Sequence, residues 1–182
     1  MAVMVHPGAA GPLPWSFRIC GKSEAASLAT AMGATRVVSL LDPDDGLQTP
    51  ADLNREDHLS LPMLDVDDPS LRHAPAPAQV AHLLDWGRGI RAGDRVLIHC
   101  FGGISRSPAA ALALVAQALG PGRDDDAMTL VRKIRPTAVP NRLIVGAADA
   151  ALGRRGDLLA ALDARRFRLL DLNDGADMDI LS

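Results

Sequence analysis

Hydrophobic positions along this chain follow two alternating rhythms. The runs FRIC (17–20), ATRVVSLL (34–41) and RVLIHC (95–100) are short, nearly continuous and rich in β-branched or aliphatic residues, the pattern of strands covered on both faces. Elsewhere apolar residues recur every three or four positions. SEAASLATAM after the first run, Val80, Leu83, Leu84 and Ile90 within AQVAHLLDWGRGI, and SPAAALALVAQAL after the third all predict helices. In the last of these, Ser107 is expected as the cap and Pro108 at a tolerated first-turn position. Residues 124–135 predict a further amphipathic helix, with Ala127, Leu130, Val131 and Ile134 on one face and Pro136 ending it. PNRLIVGAADAAL predicts a last core helix and LLAALDARRFRLL a peripheral one. HLSLPMLDV (58–66) predicts another strand despite Pro62, followed by a polar, Pro-rich loop from Asp67 to Pro77 whose length suits a functional role. Strands separated by helices predict an α/β fold: a central, mostly parallel sheet flanked by helices on both faces, with ligands bound beyond the carboxyl ends of the strands.

Composition narrows what such a fold can be doing. With 182 residues the chain is long enough for one core, and 48% hydrophobic against 23% charged residues fits a folded globular chain. Three Phe, two Trp and no Tyr leave the packing to aliphatic side chains. A Gly- and Pro-rich arm (1–16), one domain (17–168) and an acidic tail (169–182) divide the chain. The formal net charge of −3 offers no broad attraction to nucleic acid or an anionic membrane, so an anion site must be local. Two cysteines, Cys20 and Cys100, are too few for a disulfide framework, and neither a signal peptide nor a membrane-spanning run is evident, which points to a reducing cytoplasm. The Ala, Gly and Arg bias suggests a bacterial source.

The stretch HCFGGISRS (99–107) lies between a predicted strand and a predicted helix. Wrapped around one point, the backbone N–H groups of Phe101, Gly102, Gly103, Ile104, Ser105 and Arg106 would turn inward, with the glycines supplying unusual backbone angles. The following helix terminus adds partial positive charge, and Arg106 adds a planar fork that matches two phosphate oxygens. Cys100 at the floor of that nest would be favoured as thiolate and face a bound phosphate in line for nucleophilic attack. Ser107 could hydrogen-bond the sulfur as it departs. His99 is expected to orient the loop. Such chemistry needs no cofactor or metal, but it calls for a carboxyl group on a neighbouring loop to protonate the leaving oxygen and then activate water. Asp42, Asp44 and Asp45 read as turn residues on a loop that should also face the site. Cys20, without basic or glycine-rich company, reads as structural. Gly21-Lys22-Ser23 has Ser16 where a nucleotide-binding loop would require its first glycine, and His6, His58, His73 and His82 lack metal-ligand spacing.

The pattern H-C-x-x-G-x-x-R-[ST] resembles the signature of the cysteine-dependent protein tyrosine phosphatase superfamily, and in particular its compact dual-specificity branch, whose loop His99, Cys100, Gly103, Ser105, Arg106 and Ser107 match one by one. Similarity extends over about residues 17–162, because ATRVVSLL, RPTAVPNRLIV and LGRRG also resemble bacterial members. The resemblance implies a phosphomonoesterase acting on phosphoprotein or a small phosphomonoester, with Cys100 as nucleophile, Arg106 as phosphate clamp and Ser107 assisting thiolate release. It implies an acid in a pattern like I-P-x-x-D. LPMLD puts Asp65 there, with Asp68 ranked second and Asp67 third. Two rival readings remain at this level: a phosphate-binding module of the same fold without turnover, and a sulfurtransferase of the rhodanese kind, against which Arg106 and Ser107 at their spacing argue.

Overall fold

A computed structural model describes residues 12–45 and 53–164, so the start of the expected arm and the acidic tail lie outside the described residues. Four strands, β1 (Ser16–Gly21), β2 (Arg36–Leu40), β3 (His58–Ser60) and β4 (Arg95–Cys100), form one sheet in the order β1-β4-β2-β3, with every pairing parallel. The five helices are α1 (Lys22–Met32), α2 (Pro77–Gly87), α3 (Arg106–Leu119), α4 (Asp124–Ile134) and α5 (Arg142–Ala151), and residues 157–164 are also helical. This is the α/β arrangement the alternating pattern predicts.

The near-continuous apolar strands are explained by cover on both faces. Val96, Ile98 and Cys100 of β4 join the large core with α2–α5, while Leu97 pairs with Val37 and Cys20 beneath α1, whose Ala25, Leu28, Ala29 and Met32 pack on that smaller cluster. Each fully buried Leu or Ile contributes on the order of 1.5–3 kcal/mol. Every residue of α3 from Arg106 to Ala116 is buried, and its five alanines and two leucines let it lie against the sheet beneath the other helices. Trp15 is buried as well and stacks at a tilt on Phe17, 5.7 Å between ring centres, ahead of the first strand.

Two local expectations are corrected. The strand predicted over 58–66 ends at Ser60, because Pro62 cannot donate to a ladder, although Leu61 N and Met63 N still donate to Ser39 O and Leu41 O at 2.8 and 2.9 Å. The helix after the signature begins at Arg106 with Ser105 as its cap residue, and the Ser107 hydroxyl is used elsewhere. Strand register then determines what the site is built from: Cys100 is level with Gly21 of β1 and Leu40 of β2, so three strands end together at one edge.

Candidate active site

Residues 101–105 form a loop between β4 and α3, and every one of their carbonyls is anchored from outside. Phe101 O accepts from Lys22 N at 2.9 Å, Gly102 O and Gly103 O from Nη2 and Nε of Arg135 at 3.3 and 3.1 Å, Ile104 O from Val139 N at 2.8 Å, and Ser105 O from Asn141 N at 3.2 Å. Because a peptide's N–H and C=O point in opposite directions, five carbonyls turned outward leave the N–H edges facing the loop's centre. Gly103 N donates to Cys100 Sγ at 3.2 Å, consistent with that sense of turning. Gly103 has φ +69°, and a Cβ there would stand 2.5 Å from Cys20 C and 2.7 Å from Gly21 N. The loop therefore lies against the end of β1 with only glycine between them.

Cys100 is 1% exposed at the floor of this loop, and Ser107 Oγ donates to its sulfur at 3.1 Å. Arg106 is 3% exposed and is aimed by two hydrogen bonds from Nη1, to Asp42 Oδ1 and Met63 O, both at 2.6 Å. Its Nε has no hydrogen-bond partner among the described residues, which leaves that edge of the fork for an anion. Asp65 lies over the same arginine, with Oδ2 at 4.0 Å from Nε, and its Oδ1 accepts from Ser105 Oγ at 2.6 Å and Asn141 Nδ2 at 3.1 Å.

The three carboxylates weighed in the sequence thus diverge. Asp65 joins the signature loop. Asp68 turns away, accepting from Ser70 N and Ser70 Oγ at 2.9 and 2.7 Å, and those bonds hold its carboxyl below the usual range. Asp67 is exposed, with Arg142 as a charged neighbour.

Beneath the loop, Ser39 Oγ shares hydrogen bonds with His99 Nε2 at 2.6 Å and His58 Nε2 at 2.8 Å. Burial, reinforced by the charge of His58, pushes His99 down to about 4, so its ring is neutral near pH 7 and serves as a fixed strut. Cys20 behaves as the structural thiol its surroundings suggest: burial, with Glu24 adding in the same direction, raises it to about 12.

Three contributors were not singled out from sequence. Asp42, read as a turn residue, is an ion-pair partner of Arg106. Asn141 and Arg135 hold Asp65 and the loop from positions more than thirty residues downstream. The helix-capping pair Pro140-Asn141 was a visible signal for Asn141's local role, as Asn141 Oδ1 accepts from Leu143 N and Ile144 N.

No family model matches the chain. Over 56 residues it is 43% identical to the tyrosine-protein phosphatase vhp-1 of Caenorhabditis elegans, a stretch covering 31% of this chain and 8% of that much longer protein. Its fold is shared with human DUSP28 (24% identity, TM-score 0.56, covering 79% of this chain and 93% of the other) and with DUSP15 (21% identity, TM-score 0.56, 86% and 95%). The chain thus shares the fold of DUSP28 and DUSP15 and, over a short stretch, is similar in sequence to a tyrosine-protein phosphatase. Its loop has serine on both sides of the arginine, as in the dual-specificity form of the signature that it resembles.

Proposed function

We propose that this chain is a phosphomonoester hydrolase of the tyrosine and dual-specificity type, acting on phosphorylated protein or a small phosphomonoester through a phosphocysteine intermediate. The observation that carries this is the set of five outward-anchored carbonyls above a buried cysteine, which makes an anion nest with a nucleophile at its floor. In the first step Cys100 Sγ bonds to phosphorus as the bond from phosphorus to the leaving oxygen breaks, and Asp65 gives that oxygen a proton. The loop N–H groups and Arg106 hold the remaining phosphate oxygens. In the second step Asp65 takes a proton from water as the water oxygen bonds to phosphorus, and the departing sulfur is received by the hydrogen bond from Ser107. These steps ask for no metal or cofactor.

Phosphotyrosine is favoured over a highly phosphorylated inositol ring. Phe101, Gly102, Gly103 and Ile104 bring no cation to the loop, and exposed Phe101 and Ile104 offer apolar surface beside the nest that suits an aromatic leaving group. A cytoplasmic location belongs to the same reading, supported by two free, buried cysteines. Among the described residues no helix is long and apolar enough to cross a membrane. The test is hydrolysis of para-nitrophenyl phosphate in the presence of a chelator. The native chain is expected to turn over and Cys100→Ser to lose at least about a thousandfold. Tight phosphate binding without turnover in the native chain would overturn the reading in favour of a binding module.

A further inference from the structure

The two carboxylate oxygens of Asp65 have different surroundings. Oδ1 accepts from both Ser105 Oγ and Asn141 Nδ2, whereas Oδ2 takes neither bond and faces the Arg106 guanidinium. The orientation of the Asn141 amide follows from its second task. Its Oδ1 accepts the first free N–H groups of α5, from Leu143 and Ile144, so Nδ2 is the end directed at Asp65, where it also donates to Val66 O at 3.1 Å. Asn141 is 4% exposed and fully engaged, and its own N–H bonds Ser105 O. One residue thus ties the acid, the phosphate loop and the start of α5 together.

We propose that Asn141, acting with Ser105, is a positioning residue that assigns the transferable proton of Asp65 to Oδ2. The proposal rests on Asp65 being the general acid. A carboxyl oxygen has two lone pairs, and both on Oδ1 are already used by donors, so a proton placed there would displace one of those bonds. On Oδ2 it costs neither and stands on the side of the guanidinium that holds the phosphate. In the first step the Oδ2–H proton passes to the leaving oxygen as its bond to phosphorus breaks. In the second, Oδ2 accepts a proton from the attacking water as the S–P bond breaks. One oxygen serves both directions. The charged groups facing Asp65 are Arg106 and, across its guanidinium, Asp42.

The experiment measures kcat and kcat/KM across pH for a series of aryl phosphates of increasing leaving-group pKa, with the native chain, Asn141→Ser, Asn141→Asp and Asp65→Asn. Both substitutions at 141 keep an oxygen to cap α5 and remove the donor to Asp65. Asn141→Ser is expected to lose about tenfold or more with the poorest leaving groups and less than about threefold with nitrophenol. Asn141→Asp is expected also to move the alkaline limb of kcat/KM upward by about one pH unit, because a second carboxylate beside Asp65 retains its proton. If both variants keep the native leaving-group dependence and pH limb, with only a lowered Tm, Asn141 merely caps the helix and the proposal fails. If instead Asp65→Asn leaves the leaving-group dependence untouched, the assignment of the acid itself fails.

Discussion

Gly103 shows how narrowly the loop is specified by single residues. Its backbone has φ +69°, and the space a methyl group would need is occupied by the backbone of Cys20 and Gly21 rather than by movable side-chain ends. Gly103→Ala should therefore cost about 2–3 kcal/mol in denaturant unfolding and abolish phosphate protection, since neither the loop nor β1 can yield without losing register. Full stability with native phosphate affinity in that variant would mean that the close approach is not needed. Ser107 makes a subtler claim. With its hydroxyl on Cys100 Sγ, Ser107→Ala should leave formation of the phosphocysteine intact but slow its hydrolysis by about tenfold or more, so that pre-steady-state release of nitrophenol shows a burst that the native chain lacks.

Between elements, the coupling of α4 to the loop is what the sequence hid. Arg135 follows the last residue of α4, and its guanidinium supports the carbonyls of Gly102 and Gly103. Arg135→Met keeps the aliphatic stem and should raise KM for para-nitrophenyl phosphate by about tenfold while Tm moves little, because the lost bonds orient the nest and bury almost no core. An unchanged KM would remove Arg135 from the site. What was legible and what was not divides along physical lines. Strand and helix identities were legible because burial on both faces imposes aliphatic runs on β2 and β4, and one-sided burial imposes helical spacing on α2 and α4. The signature was legible because the cysteine, the glycine pair, the arginine and the helix start are contiguous in the chain. Asp42, Arg135 and Asn141 were not, since each acts across a tertiary contact and is locally an ordinary turn, helix-end or cap residue. Ser107 had two uses open to it in the sequence, cap and partner of the Cys100 sulfur, because a serine near a helix start satisfies the local rules for a cap; the structure gives the cap position to Ser105 and the hydroxyl of Ser107 to the sulfur.

For the molecule as a whole, the buried Ser39, His58 and His99 chain links acid stability to the floor of the site. His99 is held near 4 in the folded chain by burial, against about 6.5 when unfolded, and burial lowers His58 as well. A histidine depressed by folding contributes stability that is present above the unfolded value, and the unfolded chain gains the proton first as pH falls. Stability should accordingly decline between about pH 6.5 and 4, by on the order of 3 kcal/mol from His99. Denaturant unfolding of the native chain and His99→Gln across that range checks this, since the variant should show a shallower slope and an identical slope would contradict it. The central claim concerns the covalent step and is tested most directly by acid quenching the enzyme within milliseconds of mixing with a radiolabelled aryl phosphate, then mapping the label. Phosphate covalently attached to Cys100, absent in Cys100→Ser and longer-lived in Ser107→Ala, is the predicted result. Turnover by the native chain with no trapped phosphate on Cys100, or with undiminished rate in Cys100→Ser, would contradict it.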